Sequence, residues 1–260
     1  MCASSHGEAA AAAHASDKGA PAPAAERKLI DDLVVANRIL FDEGVVDGFG
    51  HVSVRHDKQA DRFLLARNMA PALVTAEDIL EFDLDGNPVA AKGRPVYLER
   101  FIHSEIYRGR PDVQAVVHSH SAAVVPFGIV SGMPLRPVWH MSGFIGEAAP
   151  IFEIRETAGI GSDLLIRNNA LGAALAKSIG TGTVVLMRGH GATIVGSTLQ
   201  EAVFRAVYTE INAKLQAEAL RLGPVTYLSK EEAQATSVSV GSQLMRAWDF
   251  WRLRAQGGLR

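Results

Sequence analysis

Three histidines carry the most chemical information in this chain. In Ala115-Val116-Val117-His118-Ser119-His120 an apolar, β-branched run ends in two histidines one residue apart. Successive side chains of a strand point to opposite faces, so His118 and His120 share a face and Ser119 takes the other. Two imidazoles on one face can grip one cation; alone, a hydrogen-bonded surface pair would read the same way. A second buried run, Thr183-Val184-Val185-Leu186-Met187, leads into Arg188-Gly189-His190-Gly191. The flanking glycines let the backbone turn sharply and present His190 without crowding. A histidine that merely caps a turn would look similar, but with His118 and His120 it completes a three-imidazole set with positions open for water or substrate. Zinc, manganese, cobalt and iron all suit such a set, at one divalent ion per subunit, and residue types do not choose among them. Glu99, in Tyr97-Leu98-Glu99-Arg100-Phe101, is by composition an ordinary helix glutamate. Beside a cation it would serve as a fourth ligand or as a carrier of protons.

The elements that must position these residues follow from periodicity. Apolar residues recur at helical spacing from Ala24 to Glu43 (Leu29, Leu33, Val34, Ala36, Ile39, Leu40), ahead of Gly44 and Asp47-Gly48. His51 to Arg55, Arg62 to Leu65 and Ile79 to Asp83 read as short strands. The pattern predicts an amphipathic helix over Tyr97 to Arg108, stopped by Gly109 and Arg110-Pro111. It predicts strands over Val113 to His118 and Thr183 to Met187, and a helix starting near Ser121. Residues 134–154 mix strand and loop signals, and further helices are expected over 168–178, 199–222 and 230–254. Helices alternating with short strands, without a break, favour one α/β domain over residues 26–260. Residues 1–25 are rich in alanine but broken by charges and proline; they bury too little to offset their ordering entropy and read as a flexible extension.

Composition removes several classes of function. The 260 residues are 48% apolar and 21% charged, ordinary for a globular protein that buries a core without staples. A formal net charge of -2 and a pI near 6.5 give no reason to expect nucleic acid. No apolar stretch is long enough to span a bilayer, and the opening residues lack the basic start and apolar core of a secretory signal. The single cysteine, Cys2, forbids an internal disulfide, which fits a cytoplasmic location. No phosphate-binding glycine loop or internal repeat is present.

Taken together, Glu99-Arg100-Phe101, Arg110-Pro111-Asp112, Ala115 through His120 and Met187-Arg188-Gly189-His190-Gly191 resemble the class II aldolase/adducin family. Phe49-Gly50-His51-Val52-Ser53-Val54-Arg55 fits that family's Gly-Asn-Val-Ser stretch with one substitution, and the likeness extends from about Ala24 to Ala217. The resemblance implies a three-layer α/β/α domain around a mostly antiparallel sheet. It also implies a metal on the three histidines, an acid/base glutamate at Glu99, and a homotetramer with active sites between subunits.

Departures from the family pattern point at the substrate. His51 stands where the aldolases have asparagine, Ala66-Arg67-Asn68-Met69-Ala70 where they have a Thr-Gly phosphate turn, and Tyr97-Leu98 where they have Ser-Ser. Losing those donors would leave phosphate oxygens unpaired, at about 1–3 kcal/mol each, which argues against a sugar phosphate. Tyr97, Met69, Trp139 and Phe144 would suit a planar substrate, and Arg67, Arg188 and Arg205 would suit carboxylates. Tyr97 to His103, Pro134 to Met141 and Arg188 before His-Gly resemble the branch that decarboxylates hydroxylated aromatic or pyridine dicarboxylates. The expected reaction is loss of CO2 without oxidation, with Glu99 moving the proton and His51, His103 and His140 assisting or orienting substrate. Tyr208 and Tyr227 are candidates to reach a neighbouring subunit's site. An aldolase or epimerase of a non-phosphorylated hydroxy acid or sugar is the alternative; a non-catalytic adducin-like module would be expected to lack the metal ligands.

Overall fold

The computed structural model describes residues 24–258. The expected extension over residues 1–25 lies outside these, apart from Ala24 and Ala25, which open the first helix. Seven strands are formed: β1 (His51–Arg55), β2 (Arg62–Ala66), β3 (Ile79–Asp83), β4 (Ala115–Ser119), β5 (Ile151–Phe152), β6 (Val184–Met187) and β7 (Gly191–Gly196). The helices are α1 (Ala24–Asp42), α2 (Arg100–Gly109), α3 (Val125–Ile129), α4 (Arg155–Ala158), α5 (Asn169–Ile179), α6 (Leu199–Leu222), α7 (Lys230–Gly241) and α8 (Leu244–Ala255). The strands make one sheet in the order β3-β2-β1-β4-β7-β6-β5. Every pairing is antiparallel except β5 with β6.

The sheet is buried on both faces, and the strand sequences show why. Along β4, Ala115 and Val117 enter one apolar cluster while Val116 enters the other; β2 and β6 alternate likewise. Runs that are apolar at every position can satisfy two cores at once. One face is covered by α1, α6 and α8, through Leu33, Ile39, Val203, Val207, Trp248 and others. The other is covered by α2 and α5, through Ile102, Ile106, Leu171, Leu175 and Ile179. Each fully buried Leu or Ile contributes roughly 1.5–3 kcal/mol. The result is the three-layer α/β/α sandwich that the family resemblance implied.

Several elements differ from the periodic reading: α3 starts at Val125, one turn after the expected Ser121, and the short α4 was not expected. Helix α2 starts at Arg100, and Tyr97 to Glu99 form the turn before it. The expected single helix over 230–254 is two, α7 and α8, separated near Ser242 and Gln243. Strand β7 was not apparent, because Gly191-Ala192-Thr193 lacks the bulky apolar residues that mark a strand.

Candidate functional site

The end of β4 is where the chemistry converges. His51 pairs directly with His118 across β1 and β4, so the two side chains stand on the same face, the one covered by α2. His120 follows just beyond the strand. His190 comes from the tight turn joining β6 to β7, where its N–H donates to the Met187 carbonyl at 3.0 Å. Gly191 meets a spatial demand: a Cβ there would lie 1.9 Å from the Ser119 carbonyl oxygen, so only glycine lets this hairpin press against β4. Glu99 occupies the N-cap of α2 without capping it. Its Oε1 instead accepts the Ile166 N–H at 2.8 Å, and the helix N-terminus favours negative charge at this place.

The remaining atoms face one another. Glu99 Oε2 is 3.6 Å from His118 Nε2 and 3.4 Å from His190 Nε2. His120 Nε2 is 3.0 Å from His118 Nε2 and 2.9 Å from His190 Nε2. His118 Nδ1 lies 3.1 Å from the Ala192 carbonyl and His190 Nδ1 2.9 Å from the Leu164 carbonyl. Because a carbonyl only accepts, both Nδ1 atoms carry the hydrogen and both Nε2 atoms present lone pairs inward. A single hydrogen on His120 Nε2 can serve only one of those neighbours; a cation serves all of them. Tetrahedral ligands at about 2.0–2.1 Å from an ion stand roughly 3.3 Å apart, close to the spacings found here. The four donor atoms lie within 4.8 Å of one another, and the set fits a divalent cation.

Electrostatics agree with that role. Burial lowers the pKa of His118 and takes His120 down to about 4, so both are neutral at pH 7 and free to bind an ion. Burial acts the same way on His190, but the Glu99 carboxylate outweighs it and the net shift is upward. For Glu99, burial pushes up while hydrogen bonds and charge from His118 and His190 pull further down, leaving it ionised.

Other expected site residues divide into two groups. His51 is buried beside the cluster, its ring centroid 5.1 Å from that of His118 and 4.5 Å from that of Tyr97. Tyr97 is fixed there by its hydroxyl, which donates to the Met69 carbonyl. Arg67 is paired with Asp78 at 2.7 Å, and Arg188 with Glu153 at 2.6 Å. The others are not brought to the histidines of their own chain. Arg205 belongs to α6, on the opposite side of the sheet, and donates to the Val195 carbonyl and Glu201. Tyr227 lies under Arg136 and accepts from Gln216. His140 is exposed on the wall of a cavity of about 630 Å³ shared with Phe204, Tyr208, Phe250 and Trp251. Trp139 packs against His140 and Tyr208, and Phe144 against Phe204, so neither forms a wall at the cluster.

Sequence reasoning missed Phe49, a residue 68% exposed whose ring centroid is 6.2 Å from that of His120. It also missed Ser53 and Tyr107. Part of their signal was in the spacing: Glu99 at the N-cap and His103 and Tyr107 within α2 recur every fourth residue, matching His51, Ser53 and Arg55 at every second residue on β1.

The model of the class II aldolase and adducin N-terminal domain matches residues 31–217. The chain belongs to the class II aldolase/adducin family. Decarboxylase tropJ of Talaromyces stipitatus is 40% identical over 243 residues, covering 85% of this chain and 91% of the relative. The 3,4-dihydroxyphthalate decarboxylase of Arthrobacter keyseri is 34% identical over 206 residues, covering 74% and 78%. Among solved structures, L-fuculose 1-phosphate aldolase from Glaciozyma antarctica superposes with a TM-score of 0.73 at 24% identity, covering 92% of this chain and 95% of that one, which shows the shared fold. As a member of this family with decarboxylases among its relatives, the protein is a carbon–carbon lyase. No helix among the described residues is long and apolar enough to cross a membrane.

Proposed function

We propose that this protein is a metal-dependent decarboxylase of a hydroxylated aromatic or pyridine dicarboxylate, with His118, His120, His190 and Glu99 holding one divalent ion. The observation that carries the reading is the convergence of three imidazole Nε2 atoms and one carboxylate oxygen. The decarboxylases among its relatives supply the reaction class. Zinc, manganese, cobalt and iron all suit these ligands.

A bound cation supplies Lewis-acid stabilisation of the negative charge that builds as the carbon–carbon bond breaks. The chain's own residues do the rest. Glu99, kept ionised, takes the proton of the ring hydroxyl and returns it to the ring carbon as CO2 departs; the bonding pair left on that carbon accepts the proton. The Ile166 N–H fixes Oε1 and so aims Oε2 at the reacting atoms. Phe49 and Tyr97 offer flat apolar surface beside the histidines. Arg188, two residues before His190 and paired with Glu153, is the nearest candidate in sequence for a carboxylate anchor, with Arg67 beside Tyr97 as a second. A homotetramer with sites between subunits is part of this reading, since His140, Tyr208 and Tyr227 would meet a cluster only on another copy. A cytoplasmic setting belongs to it as well, motivated by the lone cysteine.

The test is CO2 release from a panel of hydroxyaryl dicarboxylates by metal-stripped protein, with and without added divalent ion. Metal-dependent release supports the proposal. Cleavage of a hydroxy acid or sugar, with no CO2 from any ring, would return the protein to the aldolases.

A further inference from the structure

Behind the histidine cluster runs a continuous buried chain of polar side chains between β1 and α2. His51 Nδ1 is 2.7 Å from His103 Nε2, His103 Nδ1 is 2.6 Å from Ser53 Oγ, and Ser53 Oγ is 2.7 Å from the Tyr107 hydroxyl. Its four residues are all buried, His103 and Ser53 completely. A neutral imidazole has one N–H, so the hydrogens in such a chain must all run in one direction or all in the other. Run one way, His51 shows the site a lone pair at Nε2; run the other way, it shows an N–H.

Arg55 decides the direction. Its guanidinium carbon lies 4.7 Å from the centre of the Tyr107 ring, at the end of the chain remote from the cluster. It is held there by donation to the carbonyls of Val113, Ala60, Tyr107 and Arg110. A fixed positive charge turns neighbouring O–H and N–H dipoles away from itself. In the metal-free protein the Glu99 carboxylate at the other end draws them the same way. Tyr107 thus donates to Ser53, Ser53 to His103 Nδ1, and His103 Nε2 to His51 Nδ1.

We propose that Tyr107, Ser53 and His103 are positioning residues that lock His51 in its Nε2–H tautomer, so that His51 donates a hydrogen bond to a carboxylate of the substrate. The identity of the acceptor rests on the decarboxylase reading; the tautomer does not. Spectra correlating ring protons with imidazole ¹⁵N in histidine-labelled protein read the tautomer directly, without substrate, in metal-free and zinc-loaded samples. His51 and His103, assigned through H51N and H103N, are expected to carry hydrogen on Nε2 in both samples. S53A removes the donor to His103 Nδ1 and is expected to give a mixture of tautomers at His51, with S53T restoring the original spectrum. With an active dicarboxylate, S53A is expected to raise KM by the reciprocal of the fraction of His51 that keeps its Nε2–H, about twofold for an even mixture, with a smaller effect on kcat. Y107F, which keeps the ring and loses the hydroxyl, repeats the spectral test should S53A fail to fold. A wild-type His51 protonated on Nδ1, or an unchanged tautomer in a folded S53A, would overturn the proposal. A shifted tautomer with unchanged KM would overturn the carboxylate contact. Absence of CO2 from the whole panel would count against the decarboxylase reading, while the tautomer read from the spectra would still support or overturn the locked His51.

Discussion

Replacing Glu99 with glutamine removes one charge and almost no volume, and the structure makes the amide unable to serve both of its neighbours. If the amide oxygen stays 2.8 Å from the Ile166 N–H, the NH2 group faces the His118 and His190 Nε2 atoms at 3.4–3.6 Å, where a cation would sit. If the amide turns round, its oxygen reaches the cation but the buried Ile166 N–H meets another donor and is left unsatisfied, at about 1–3 kcal/mol. Taking about 2 kcal/mol for that second arrangement, metal affinity falls roughly thirtyfold at 1.36 kcal/mol per factor of ten. Turnover falls further, by roughly 10²–10⁴, because a positioned proton carrier is lost. Competition titration against a chelator gives the affinity, and CO2 release at saturating metal gives turnover free of any loading defect. Wild-type values for both in Glu99→Gln would refute the two roles together. Weakened metal with full turnover would leave Glu99 a ligand and move the proton chemistry elsewhere.

Two more outcomes follow from the same geometry. His190 has its pKa raised above the usual 6.5, whereas His118 and His120 are held below it, so below the His190 pKa an incoming cation displaces one proton from the site. Affinity should therefore fall tenfold per pH unit below the His190 pKa and level off above it; a pH-independent affinity from titrations across pH 6–9 would contradict this. Gly191→Ala places a Cβ 1.9 Å from the Ser119 carbonyl and must push the β6–β7 hairpin off β4. A cost of about 3 kcal/mol lowers the thermal midpoint by roughly 6–12 °C, and metal stoichiometry should fall with it; a variant that melts and binds metal normally would show that the hairpin tolerates the shift.

Most of the sheet was legible because its strands are buried on both faces and so are apolar at nearly every position, as in Ala115 to Val117 and Val184 to Met187. The histidine cluster was legible because His-Ser-His ends such a run and glycines bracket His190. Strand β7 escaped because its identity comes from close backbone approach, which selects small residues rather than β-formers. Tyr107 was hidden in a helix whose apolar residues Ile102 and Ile106 dominate the pattern, while His103 was read there only as a residue to assist or orient substrate. Only the sheet register, which sets His51 beside His118 and Ser53 beside His103, turns their fourfold spacing into a polar seam. Arg205 and His140 were chosen for side-chain type, and type does not say which side of a sheet a residue will occupy.

Both margins of the sheet are closed to further strands. At one, β3 is folded over by its own continuation, with Val89 donating to Glu81 and Pro88 bridged to Phe82. At the other, β5 is only two residues long before the chain turns into α4. A proline and a truncated strand are poor templates for a neighbouring backbone. Among the described residues this leaves helices and loops, rather than a strand edge, for copies of this protein to meet through. Such contacts can be redrawn by point substitution without disturbing the strands that hold the histidines.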